Sequence, residues 1–508
     1  SGSRKPPSMI MISLLLLTTL LVSAPNSTTW VVDQGGSGNF TTIQAAIDAS
    51  VAGDFIVVHS GNYIEDLVIS VAVTITGAAG SNTVIYPATS DIGSGFGGQI
   101  LNSTQSCVIE ANDVTLRDLV FDGDNPALGS GIDVRNGIIL NYTNGPWNNL
   151  TVEGCMVRNV WLRALYGSTG SGHSFRANTI ENARGQYLES AGIMFFAAHG
   201  EILGNTVRDC SLGIAVHAGS SGEVSGNNIH NSDLGVLSNG TNVASLVHNN
   251  LFRSCTQGVQ LIGLAADVTV ENNNFESCGW GVTFFGSNAQ GIVQDNVFEG
   301  NALGGNGGIF ATTDLSPWGV NDVFGTVSRN EFRNLDTGIL LDETVASQAR
   351  TLGLVFGGSA LDTNTFRSNA SFNLALQGCN DDVLASWNSW GAATPAVIGV
   401  GIWDQLDDPL LGLVDLSQAV SDQVIVDGNG SGDYLAIQDG INAVDIGGSV
   451  IVLPGDYVGS LVIAKSLQLL GSGMDSNPLL GTNVFGDHAA AGVGNDVVTV
   501  LAANVEIR

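Results

Sequence analysis

The residues best suited to chemistry in this chain of 508 gather between positions 163 and 199. Arg163, Arg176 and Arg184 alternate there with His173, Glu181, Tyr187, Glu189 and His199. Guanidinium, imidazole and carboxylate groups in one groove can move a proton or hold a hydroxyl-rich or charged ligand. The same residues can equally form a solvated loop face. Further on, Asp404, Asp407 and Asp408 offer the carboxylate oxygens that calcium prefers in flexible loops, with a polar capping turn as the other reading. No other cofactor is expected. His230 and His248 lack the spacing of paired metal ligands, and none of the six cysteines forms a C-x-x-C pair.

Two repeats define the elements that must position these groups. In the middle of the chain Asn178, Asn205, Asn227, Asn250, Asn273 and Asn296 open near-identical phrases, spaced 27, 22, 23, 23 and 23. Interleaved with them stand Gly192, Gly213, Gly235, Gly258 and Gly281, spaced 21, 22, 23 and 23. Periods of this size mark a β-solenoid, whose coils each add short strands to the coil below. Equivalent residues then form ladders. The asparagines are expected to stack as hydrogen-bonded turn amides that tolerate a left-handed backbone. Cys210, Cys255 and Cys278, with Ser232 in series, read as stacked reduced thiols beside the core, or as a Cys255–Cys278 disulfide.

Strand alternation points the residues two and four places after each glycine outward. They read Met194/Phe196, Ala215/His217, Leu237/Asn239, Gln260/Ile262, Thr283/Phe285 and Phe310/Thr312. Met194, Phe196, His217, Phe285 and Phe310 make this face apolar and aromatic. It suits stacking of sugar rings, docking of a protein, or cover by longer loops such as 303–321.

The second repeat is long-range. The stretch VDQGGSGNFTTIQAAI at 32–47 matches VDGNGSGDYLAIQDGI at 426–441 without a gap, and the match continues to Gly77 and Gly471. Each copy predicts a Gly-rich turn, a short amphipathic helix and alternating strands. Such a helix covers the open apolar end of a first coil. A second, truncated module is therefore expected at 420–508, after a first at 30–418.

Composition narrows the partners. With 16 Lys plus Arg against 47 Asp plus Glu, the formal charge of −31 repels nucleic acid and anionic lipid. Arg4 and Lys5 precede the apolar run Met9–Val22, and small residues follow. This predicts a secretory signal over 1–24 and no retained membrane span.

The Gly-Ile-x-Val and Asn-Asn-x-Phe phrases resemble the repeats of the NosD-like and pectin-lyase-like right-handed parallel β-helix superfamily. The segment from Gly53 to Glu65 is similar to the opening coils of pectin methylesterases, and Trp387–Gly391 followed by Ile402–Val414 resembles the closing segment of exported β-helix modules. The resemblance implies an all-β solenoid with an N-terminal capping helix. It does not carry an activity, because the superfamily's paired aspartates and its N-T-D, G-H-G and D-P-H-D motifs do not occur here. Lyases of this fold use Lys or Arg as base beside calcium. The only lysines are Lys5 and Lys465, so an arginine base is the form that chemistry could take. The expected function is a secreted or cell-surface module, non-catalytic, with a rigid face for polysaccharide or protein partners. A uronate lyase or glycoside hydrolase is the alternative.

Overall fold

The computed structural model describes residues 27–508 apart from 81, 95–99, 130, 187–188, 241–243, 263–267, 287–288, 302–303, 314–321, 345–351, 360, 392–397, 420, 430–431, 472–481 and 486–496. The expected signal segment, Tyr187, and 303 and 314–321 of the loop 303–321 lie outside the described residues.

Each coil lays down three strands with sharp turns between them. In one coil, Ser221–Ser225 belongs to the first sheet, Asn228–His230 to the second and Leu234–Asn239 to the third. Every pairing is parallel and joins a strand to its equivalent one coil away, giving sheets of 15, 12 and 13 strands. At about 4.8 Å per strand the third sheet makes a column roughly 60 Å long. The chain is a right-handed parallel β-helix.

The repeat residues explain the turns. Asn178, Asn205, Asn227, Asn250, Asn273 and Asn296 are buried, and each side-chain amide donates to the next asparagine's oxygen at 2.9–3.0 Å. The ladder continues through Asn330 and Asn364 to Asn388. One expectation is corrected here: the left-handed residue is the one before each ladder asparagine. Gly204, Gly226, Asn249, Asn272, Asp295 and Arg329 have φ between 54° and 65°. A positive φ there turns the chain so that the following amide points inward along the column. The repeat glycines have a different cause. A Cβ on Gly235 or Gly258 would stand 2.4–2.5 Å from the carbonyl of the glycine one coil on, and also against Phe252 or Phe275. Only glycine allows that approach.

Apolar side chains fill the column. Phe252, Phe275, Phe298, Phe332, Phe366 and Trp390 stack at 4.6–4.8 Å with planes within 10° of one another. Burying each such ring contributes roughly 2–3 kcal/mol. Leu261 and Phe284 face this core, whereas their neighbours Ile262 and Phe285 do not. The predicted register of the third sheet is thus the observed one. All six cysteines are free and buried.

Helix α1 (Ile43–Ala49) buries Ile43, Ala46 and Ile47 against the first coil. Beyond Val414–Asp415, the last strand of the first sheet, residues Ser421–Ile507 form sheets of four, two and two strands. They have their own apolar cluster, which includes Ile437 and Ile441 of helix α2 (Ile437–Ala443).

Candidate functional site

The polar group expected around 163–199 is divided by the fold. Successive strands of one coil belong to different sheets, so residues close in sequence leave the column in different directions. His173, Arg176 and His199 lie on the first sheet, Glu181 on the second, and Arg184 at the turn that follows it. Most are engaged structurally. Arg176 faces Glu153 at 3.8 Å, Arg208 donates to Glu181 at 2.6 Å, and Arg184 binds Asp233 at 3.2 Å and the Asn231 carbonyl at 2.7 Å. His199 shares a hydrogen bond with Ser221. His173 is buried, its Nδ1 accepting from the Leu150 amide and its Nε2 within 3.0 Å of the Thr169 carbonyl. Burial pushes its pKa below the usual histidine value, so it is a neutral part of the core wall. A single catalytic groove made of all these groups is therefore corrected.

The aromatic platform is corrected as well. Met194 is buried with Val108, Ile139, Tyr166, Ala191, Leu212, Ala215, Leu234 and Leu237 in a second apolar cluster on the outer side of the third sheet, and Ile100 packs against it. Contact between neighbouring coils, with this cover, hides the side chains that alternation turned outward. Phe285 and Phe310 are half-buried against each other, 5.9 Å apart, and Trp280 lies 5.4 Å from Phe310. Phe196 remains exposed at 39%.

Halves of the two groups meet, however. Arg163 and Glu189 stand beside Tyr166, Phe196 and His217 on the outer side of the third sheet. Register aligns Tyr166 with Met194 and Ser168 with Phe196, and one coil on aligns Phe196 with His217. Arg163 is 4% exposed and holds its guanidinium 4.7 Å from the centre of the Tyr166 ring. Its Nη2 donates to Glu189 at 3.2 Å, while Nε and Nη1 have no hydrogen-bond partner among the described residues. Phe196 and His217 stack at 5.2 Å, and the Nδ1 of His217 is also without a partner among the described residues. Burial lowers the His217 pKa and raises that of Tyr166, with Arg163 and Glu189 acting on both.

Two members, Tyr166 and Arg135, escape sequence reasoning. Arg135 is fully buried, with Nη1 donating to the Ile92 carbonyl at 2.8 Å. Burial first, and then the neighbouring Arg163, lowers its pKa; Tyr142 and Glu189 act in the opposite direction. A signal existed: Arg163 pairs with Asn136 one coil back, and Arg135 is its neighbour.

Asp404, Asp407 and Asp408 form the capping turn. Asp404 accepts the Leu406 and Val414 amides at 2.9 and 3.0 Å, Asp407 accepts the Asp404 amide, and Asp408 accepts that of Leu410. Each carboxylate thus accepts from the backbone of its own turn, and the three do not converge on one metal position among the described residues, which corrects the calcium expectation.

A column of three parallel sheets wound from consecutive coils defines a right-handed β-helix protein. The family model described as "Periplasmic copper-binding protein (NosD)" matches residues 50–260 and 122–304, together half of the chain. The chain belongs to the NosD family. No curated protein matches its sequence. Among solved structures it is similar to the mannuronan C-5 epimerase A-module of Azotobacter vinelandii at 17% identity, over 68% of this chain and 93% of that one, with a TM-score of 0.42. It is also similar to DFA-IIIase of Arthrobacter chlorophenolicus A6 at 14% identity, over 71% and 96%, with a TM-score of 0.39. An alginate lyase of Paenibacillus sp. matches at 12% identity over 64% and 99%, with a TM-score of 0.30.

The family description names copper, and the residues here do not fit it. Copper needs imidazoles or thiolates within reach of one another. His59 contacts Asp33, His248 contacts Glu223 and His217 contacts Asn239, at separate places along the column. Cys255 and Cys278 do reach each other, but both are buried in the column core with no imidazole among the described residues beside them, and burial pushes the thiols of Cys155, Cys210 and Cys379 up to about 12, far from the ligating thiolate. Among the described residues no group of three or more His, Cys, Asp or Glu side chains could hold a metal ion. Among them, too, no helix is long and apolar enough to cross a membrane.

Proposed function

We propose that this is an exported β-helix module that binds polysaccharide on the outer side of its third sheet, without catalysing a reaction. The observation that carries this reading is the meeting of the exposed Phe196 and its stacking partner His217 with Arg163 and Glu189 on one rigid face. Aromatic rings stack on sugar faces, and an arginine and a carboxylate beside them recognise hydroxyl or charged groups. Export to the periplasm or the cell surface is supported by the family description and by the charged and apolar start of the sequence. We place the binding module at 30–418, after a signal at 1–24, and read 420–508 as the start of a second module. The separate apolar cluster and repeated helix after residue 420 support that division.

The test is affinity gel electrophoresis of the full chain through a panel of neutral and acidic polysaccharides, with Phe196→Ala as the variant. Retardation that weakens in the variant supports the reading. Migration unchanged in every gel overturns it. A second reading, a uronate lyase, is favoured by the unpartnered Nδ1 of His217 in the field of Arg163 and Glu189. New absorbance from unsaturated product on uronate polymers would establish that reading in place of the first.

A further inference from the structure

Arg163 differs from the other arginines of the column. Arg117, Arg158, Arg208, Arg253, Arg329 and Arg333 are half-exposed or exposed, and each faces a carboxylate at 2.5–2.9 Å. Such pairs are solvated and screened. Arg163 is buried beside a second buried guanidinium, that of Arg135, and it keeps one hydrogen bond, to a partly exposed Glu189. Two like charges out of water repel each other strongly. Buried polar atoms are almost always paired, so the unpartnered Nε and Nη1 of Arg163 mark the place of a missing acceptor.

We infer that the ligand of this face is an acidic glycan, and that a carboxylate or sulfate of one of its sugars takes the place of Glu189 against Arg163. This rests on the glycan reading above and adds the charge of the sugar. A guanidinium presents parallel donors that match both anionic groups. The exposed Phe196 against His217 supplies an apolar surface for the sugar ring, while the buried Tyr166 supports Arg163 from beneath. The net charge of −31 opposes a polyanion at long range, so recognition must come from the local guanidinium of Arg163. Short oligosaccharides are therefore the right probes. Glu189 occupies the site as an internal counter-ion, partly exposed and tied by one bond of 3.2 Å, and it can swing aside.

Calorimetric titration of the full chain with short oligogalacturonate, a sulfated galactan oligosaccharide and a neutral galactan oligosaccharide tests this. At least one acidic probe should bind about tenfold tighter than the neutral one, a difference of roughly 1.4 kcal/mol. Whether one or both acidic probes do so identifies the anion. Arg163→Gln should bring the acidic probe down to the neutral level. Glu189→Gln should tighten acidic binding severalfold, because it removes a competitor while leaving the guanidinium, and a merely structural ion pair would not give that gain. If Arg163→Gln does not fold, the Glu189→Gln variant and the wild-type preference decide. Equal affinity for acidic and neutral probes, or no gain in Glu189→Gln, overturns the anion site while leaving glycan binding in place. Failure of every probe to bind overturns both.

Discussion

The opening of the column and the segment after residue 420 share a frame but differ in charge. In both, a tyrosine hydroxyl closes the turn: Tyr63 donates to the His59 carbonyl and Tyr457 to the Leu453 carbonyl, each at 3.0 Å. In both, a helix glutamine clamps the edge of a strand. Gln44 exchanges hydrogen bonds with Val68 at 3.1 and 2.9 Å, and Gln438 with Val462 at 3.1 and 2.8 Å. The ionic ties diverge. Glu65 accepts the Ile43 and Gln44 amides at the start of α1, both at 2.8 Å, whereas Gly459 stands at its place in the second copy. There Lys465 instead donates to the Asn442 and Val444 carbonyls at the end of α2, where the first copy has Val71. A helix leaves unpaired donors at one end and unpaired acceptors at the other, and its dipole favours an anion at the first and a cation at the second. Either tie stabilises the cap. The backbone closures are kept, and the charge is interchangeable.

The largest effect should come from breaking one core while watching the other. Phe284→Asp buries an unpaired carboxylate in the first column at a cost of several kcal/mol. Hydrogen exchange should then show protection lost across the middle coils and kept in Val444–Val452. Simultaneous loss in both regions would mean that they fold as one unit. Next comes the amide ladder, which is described for the first column alone. Asn273→Ala leaves the backbone N–H of Asn250 and one of its two side-chain N–H donors without their acceptor and should cost about 2–3 kcal/mol, read from chemical denaturation. Melting at the wild-type temperature would show the ladder to be ornamental.

Those two predictions rest on features plain in the sequence, since period and alternation fix which residues stack and which face inward. The site was less legible. Arg163 and Arg176 sit on consecutive strands of adjoining sheets and point to different surroundings, while Arg163 and Glu189, a coil apart, touch. In a solenoid the spatial neighbour lies one period away, and a search for dense polar sequence finds the wrong neighbours. Burial of Met194 and Leu237 was equally hidden, because the pattern says which way a side chain leaves the sheet and nothing of what covers it.

Smaller effects sharpen the comparison of the two openings. Glu65→Gln should cost about 1 kcal/mol in the first region, and Lys465→Met a similar amount in the second, seen as local exchange at α1 and α2 respectively. Effects in the opposite regions would refute independent capping. The smallest difference should be in pH. His173 and His217 have folded pKa values lowered by burial, so below about 6.5 the unfolded chain takes up protons that the folded one refuses. Their contribution is complete above that pH and declines as pH falls toward the folded values. The first region should lose stability between about pH 7 and 5. Among the described residues of the second region there is no histidine, and its local exchange should stay flat.

The asparagine ladder also tells how such a chain can change length. Successive rungs are 22 or 23 residues apart from Asn205 to Asn296, yet 34 apart from Asn296 to Asn330 and from Asn330 to Asn364, with bonds of unchanged length. Extra sequence is thus absorbed away from the axis. The column behaves as a ruler whose marks are set by one buried amide per coil, and a foreign segment spliced between marks would be carried on the outside without altering the scale.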